Sequence, residues 1–322
     1  MRFEWLCVPV VMIGTLASPG QTPKSELGSR YIYLPILVEN RAGKVIYDIP
    51  SEDFLVSDNG TPRPAVLAGD LNRQPIALVL VIRTGHNPQD ELQTIGGLGG
   101  LLNALASQPL DRTAIIAYDQ EPRLIQDLTS NSDDLDSSVG ELRPGNNGAS
   151  LYDAVHLAVD VVQRAPDDTQ KVILLIGGAR DHGSNLSDPV PLIEEVASQN
   201  VAIYSLAFHQ PRKGLTADLH ALNPFSGLAM GQNAAQSLAQ LTGGDFFEFK
   251  DTKTFEARML EVASHIHNRY MLRLDTSGAK PGLHSLRVVV QIAGEHRVMA
   301  KTAYFVPDKS ADAGEYSPRI IK

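Results

Sequence analysis

Residues 76–82 read IALVLVI, seven apolar residues with no polar interruption. A strand with one wet face alternates apolar and polar residues, so an unbroken run belongs to a strand buried on both faces of a sheet. KVILLIGG at 171–178 and VAIYSLAF at 201–208 have the same character. Helical patterns surround them, over roughly 89–107, 150–165, 189–198 and 252–267. Leu151, Val155, Leu157, Ala158, Val161 and Val162 read as one stripe of the second, and Phe255, Met259, Val262 and Ile266 lie at helical spacing in the last. AAQSLAQLTGGDFFEF predicts a further helix closed by Gly243 and Gly244, then a short strand. DRTAIIAYD and PRLIQDLT read as two strands joined by a tight turn. Apolar strands alternating with helices predict an α/β domain over 75–268, a doubly wound and mostly parallel sheet.

The flanks change character. YIYLPILVENRAGKVIYDI predicts a hairpin turning at residues 40–43, and Asp58-Asn59-Gly60 a second turn between short strands. After His267, RYMLRLDT, HSLRVVVQIAG and HRVMAKTAYFV return to β patterning. Segments 31–70 and 269–306 are each too small to stand alone, so together they predict a small β-sandwich beside the α/β domain.

The chain has 322 residues, 43% hydrophobic and 20% charged, enough for about two domains with a sizeable core. Its 28 Lys and Arg against 37 Asp and Glu leave a net charge of −9, with no basic run. That balance excludes nucleic acid and disfavours anionic membrane surfaces as partners. Aromatics are 6% with a single Trp, which speaks against a carbohydrate-stacking platform.

At the amino end, WLCVPVVMIGTLA follows Arg2 and precedes a polar stretch. Thirteen apolar residues are short for a membrane span and fit the apolar region of a secretory signal over residues 1–17, with Thr15 and Ala17 at the small cleavage positions. Cleavage predicts an exported protein, periplasmic or extracellular, with no remaining membrane span. The single cysteine, Cys7, leaves with the signal, so disulfides and thiol chemistry are not expected. Residues 18–30 read as a linker and 307–322 as a disordered tail.

A doubly wound sheet places its site at the carboxyl ends of the strands. Three loops are expected to meet there: RTGHN (83–87), GNNGAS (145–150) and GARDHGS (178–184). No phosphate-binding Gly-x-x-x-x-Gly-Lys-Ser/Thr occurs, and GGLGG at 96–100 lies inside a predicted helix, where it serves close packing or a helix break. Ser150 lacks a Gly-x-Ser-x-Gly elbow and reads as the N-cap of the following helix. His265 and His267 point to different sides of their helix, and His86 and His182 are scattered on loops. The expectation is therefore no catalytic residue, no cofactor and no metal. A hydrolase built from loop His and Asp residues is the weak alternative.

The order and spacing of these segments resemble the von Willebrand factor A domain and, more narrowly, the secreted VWFA-related family of the acidobacterial type. The likeness rests on PIALVLVI, IIAYDQEPRLIQDLT, GASLYDAV, KVILLIGGARDHGS, LAQLTGGDFFEF and NRYMLRLDTSGAKPGLHSLRVVV, and covers about residues 31–306. It implies a Rossmann-type fold and a protein-binding, non-enzymatic role. In such domains the three loops hold Mg²⁺ through an Asp-x-Ser-x-Ser motif, a Thr and an Asp. Here the motif positions fall on Arg83, Gly85 and Asn87, the Thr position on Ala149 beside Ser150, and the Asp position on Gly178 with Asp181 nearby. A guanidinium puts a fixed positive charge where the cation belongs, so the resemblance implies a degenerate adhesion site. Arg83 is expected to pair with Asp181 or Asp153. Alternatively, Arg83, His86 and Asn87 take a partner's carboxylate directly. The candidate partner-binding or vestigial adhesion face is Arg83, His86, Asn87, Ser150, Asp153 and Asp181, and the partner an unknown protein or envelope component. A scaffold binding through an edge of the β-sandwich is the alternative function.

Overall fold

The computed structural model describes residues 31–68, 74–85, 89–185, 189–209 and 233–308. The predicted signal, with Cys7, the linker, His86, Asn87 and residues 309–322 of the predicted tail lie outside the described residues. Among the described residues no helix is long and apolar enough to cross a membrane.

IALVLVI becomes β5 (Ile76–Arg83), with all eight residues buried. It lies inside a six-stranded sheet with β6 (Arg112–Tyr118), β7 (Pro122–Thr129), β8 (Gln170–Gly177), β9 (Val201–Phe208) and β10 (Phe246–Phe249), in the order β10-β9-β8-β5-β6-β7. Every pairing is parallel except β6 with β7, where the predicted tight turn makes a hairpin. Strand order reverses at β5, which pairs with β6 on one side and β8 on the other. Alternate residues of β5 feed two cores. Val79 and Val81 pack with α4 (Leu151–Gln163), α5 (Val190–Ser198) and α6 (Ala234–Thr242). Leu78, Leu80 and Ile82 pack with α1 (Gln89–Thr94), α2 (Leu98–Leu105) and α7 (Thr252–His267).

The single helix expected over 89–107 is two, α1 and α2, separated around Gly96 and Gly97. Gly99 then lies against the Asp136 carboxylate of α3 (Ser132–Gly140), a helix without a sequence expectation. α3 buries little beyond Leu135 and Ser138, so its apolar stripe is thin, and the Asn131 side chain caps it by accepting from the Asp133 N–H. Gly243 closes α6 as expected: its φ of +77° suits glycine, and a side chain there would run into the backbone of Lys301.

The sandwich draws on both ends of the chain. One sheet has the order β13-β1-β11-β4 and the other β14-β12-β2-β3. The strands are β1 (Tyr31–Asn40), β2 (Phe54–Asp58), β3 (Thr61–Arg63), β4 (Ala65–Leu67), β11 (Tyr270–Asp275), β12 (Gly282–Val290), β13 (His296–Ala300) and β14 (Ala303–Val306). Leu34, Ile36, Phe54, Leu272 and Leu286 form the core between the sheets. The other face of β1 buries Leu37 and Glu39. The turn after β1 forms, with the Asn40 side chain accepting from the Ala42 and Lys44 N–H groups, but its return is a single bridge between Glu39 and Val45. The run HRVMAKTAYFV is not one strand. It leaves one sheet after Ala300 and enters the other at Ala303, while the Lys301 ammonium donates to the carbonyls of Ala197 and Gln199 at the end of α5.

Candidate functional site

The three loops do meet at the carboxyl ends of β5, β6 and β8. The Gly145 N–H donates to the Thr84 carbonyl (2.7 Å), and Ala149 and His182 exchange backbone hydrogen bonds of 2.9 and 2.8 Å. Gly85 lies so close to the Gly148 carbonyl that a side chain would occupy the oxygen's place. The loop cluster is thus tied by main-chain contacts that tolerate almost any side chain pointing outward.

Arg83 ends β5 at the reversal of strand order and is 4% exposed. Its Nε donates to Glu91 Oε2 at 3.1 Å and its Nη2 to Glu91 Oε1, a two-point clasp with α1. Gly177, at φ +126°, and Gly178 close over the guanidinium stem, leaving no space for a Cβ at either position. This corrects the expected pairing with Asp181 or Asp153. The Asp181 carboxylate instead accepts from the Tyr152 N–H (3.1 Å) and the Ser184 hydroxyl, and Asp153 accepts from the backbone and side-chain amides of Asn185. Asp181 thus satisfies an orphan N–H at the amino end of α4, whereas Asp153, on α4 itself, holds Asn185 beyond the third loop. Glu91 was the residue that sequence reasoning missed. A charge at the end of a fully buried strand requires a counter-charge, and the helix that follows the loop opens with two carboxylates, Asp90 and Glu91, of which Glu91 meets the guanidinium.

Ser150 sits at the N-cap of α4, but its side chain makes no capping bond. Its hydroxyl donates to the Asp119 carbonyl (3.1 Å), and the cap comes from Asp181 and Ser184 of the third loop. A distant loop replaces the local residue, which sequence spacing cannot show. Asp119, 1% exposed, is a second residue without a sequence expectation. Its carboxylate accepts from the Asn146 N–H (2.9 Å), the Glu121 N–H (3.2 Å) and Arg123 (3.2 Å), holding the second loop against β6. Burial alone would raise its pKa, yet these hydrogen bonds and the Arg123 charge together hold it below the usual carboxylate range.

A divalent cation needs a cluster of oxygen donors. The positions that the von Willebrand resemblance assigns to ligands do not fit one. Arg83 is a cation already clasped by Glu91, Gly85 and Gly178 have no side chain and no space for one, and Ala149 offers no oxygen. The Ser150 hydroxyl is turned to a carbonyl and Asp181 is engaged at α4. What the loops present outward is polar: Gln120, Arg123, Asn146, Asn147 and His182 are all exposed.

The family model for the von Willebrand factor type A domain matches residues 87–180, from the first loop through the third. Three solved structures show the range of likeness. BatB from Bacteroides thetaiotaomicron is 13% identical at a TM-score of 0.45, over 59% of this chain and 98% of that one. A von Willebrand factor type A protein from Catenulispora acidiphila is 11% identical at 0.48, over 89% and 76%. The vWF domain of the type V pili tip protein Mfa5 from Porphyromonas gingivalis is 13% identical at 0.41, over 60% and 95%. A search of the curated proteins finds no match. The matched segment holds β6, β7, β8 and α4 and the loops that meet above them, so the similarity to the von Willebrand factor type A domain falls within the α/β unit.

Proposed function

We propose that this chain is an exported, non-enzymatic interaction module that engages a protein or envelope component through its loop face, without a divalent cation. The observation that carries the reading is the Arg83–Glu91 clasp: the positive charge a metal would supply is present as a side chain and is neutralised inside the fold. The main-chain bonds that tie the loops together support a geometry held without an ion. Export rests on the apolar segment at residues 5–17, and the narrower likeness to the secreted VWFA-related family belongs to the same proposal. Recognition falls to the exposed amides and cations of the rim, Gln120, Arg123, Asn146 and Asn147, whose donors suit a polar or acidic partner surface. The non-enzymatic reading is supported by the engagement of Ser150 and Asp181 in structural bonds.

Binding through a sandwich edge is the weaker reading, because the edge strands β13, β4, β14 and β3 run only three to five residues. Short edges discourage strand addition. A photo-crosslinking residue placed at Asn147, compared with one at Val66 on the edge strand β4, separates the two in intact cells. Adducts from position 147 that persist in EDTA are expected. Adducts from position 66 alone, or loss of the position-147 adducts in EDTA, overturn the proposal.

A further inference from the structure

A cavity of about 410 Å³ lies between the sandwich and the amino ends of β8 and β9, at the opposite end of the sheet from the loop cluster. Its volume falls in the range of small-molecule sites. Pro35 and Met271 wall it on the sandwich side, and Val172, Ala202 and Ile266 on the α/β side, so most of the lining is apolar. Amides and two acids also border the cavity, but the buried polar side chains of the lining are Tyr204, Arg269 and Lys301. Tyr204 is fully buried and its hydroxyl makes no hydrogen bond. The Arg269 guanidinium stacks 4.9 Å from the centre of the Tyr204 ring, with Nε and Nη2 tied to the carbonyls of His265 and Gly243. Lys301, 3% exposed, donates to two carbonyls.

Among the described residues neither Arg269 nor Lys301 makes an ion pair, although both are buried. The third cation of the lining, Lys171, lies 3.9 Å from Asp167. The two acids of the lining, Asp167 and Asp168, are exposed at the rim. Burial lowers the Lys301 ammonium to about 7, so the permanent unpaired cation is Arg269; with the Tyr204 hydroxyl it makes the chamber complementary to a ligand with a single acidic head and an apolar body, whose charge would also keep Lys301 protonated. We infer that this cavity binds a small organic carboxylate, with the head toward Tyr204, Arg269 and Lys301 and the tail among Pro35, Met271 and Val172.

Octanoate and octan-1-ol are the probes, titrated calorimetrically into the full chain. Octanoate is expected to bind one to one with Kd below about 1 mM, and octan-1-ol at least about tenfold more weakly. Met271→Trp fills the chamber from the sandwich side and should abolish binding. Tyr204→Phe keeps the ring and removes only an unpaired hydroxyl, so it should fold at least as well as the parent and bind octanoate about threefold to tenfold more weakly. Four results overturn the inference: no saturable octanoate binding, equal affinity for the alcohol, binding undisturbed in a folded Met271→Trp, or undiminished affinity in Tyr204→Phe.

Discussion

Two of the buried ionic clusters among the described residues are built on opposite principles. At the top of the sheet Arg83 faces Glu91 and nothing else of charge is needed: one cation, one anion, two hydrogen bonds. At the junction of the two units, Glu39 of β1, Asp245 before β10, His265 of α7 and Arg297 of β13 converge without closing. His265 Nε2 lies 2.9 Å from Glu39, and its Nδ1 lies 3.8 Å from Asp245 without a hydrogen bond. Arg297 reaches Asp245 at 2.7 Å and Glu39 at 3.9 Å, while its own side chain is more than half exposed. The first cluster is a balanced lock of one cation and one anion. The second has more acid than base and a histidine to titrate, so the seam between the units is where solution conditions act.

The sharpest way to break that contrast is to remove one side of the lock. Glu91→Gln or Arg83→Met alone should cost roughly 3–5 kcal/mol by leaving a buried charge unpaired, whereas Arg83→Met with Glu91→Leu should lie near the parent in denaturant melts. If the double variant is as unstable as either single one, the pair is not a self-contained lock.

The seam should instead respond to acid. Burial holds His265 down to about 4, with the nearby Arg269 and Arg297 charges helping and Asp245 opposing. The unfolded chain therefore takes up this proton first, and stability falls as pH drops from about 6.5 toward 4. Glu39, which burial pushes above the usual carboxylate range, works in the other direction and offsets part of the loss. A net change on the order of 2 kcal/mol is expected. His265→Gln should flatten the curve of melting temperature against pH in that window, and an unchanged slope would place the acid sensitivity elsewhere.

Smaller effects sharpen the picture of the loop face. Ser184→Ala should cost about 1 kcal/mol by uncapping α4, and Ser150→Ala roughly half as much, in reversal of what position in sequence implies. Equal losses would mean that Ser150 carries part of the cap after all.

How much of this was legible in the sequence follows from the range of each interaction. Unbroken apolar runs and helical stripes are local signals, so β5, β8, β9, α4 and α7 were readable, as was the glycine stop at Gly243. The loops' meeting point followed from topology alone, since a switch in strand order fixes it. Partner choice did not. Asp181 and Asp153 had the right charge for Arg83, but the amino end of α4 and Asn185 claim them first. Only the packing of α1 against β5 brings Glu91 under the guanidinium. The same limit hid the crossing at Lys301, where a run that looks like one strand changes sheets to close the sandwich.

The most direct test of the central claim is calorimetry of the purified chain with Mg²⁺, Mn²⁺ and Ca²⁺, paired with thermal melts. An ion held by the folded state alone must raise the melting temperature. With Arg83 and Glu91 closed on each other, neither heat nor shift is predicted for any of the three. A saturable heat with a matching rise in melting temperature would contradict the account and return the loop face to cation-dependent adhesion.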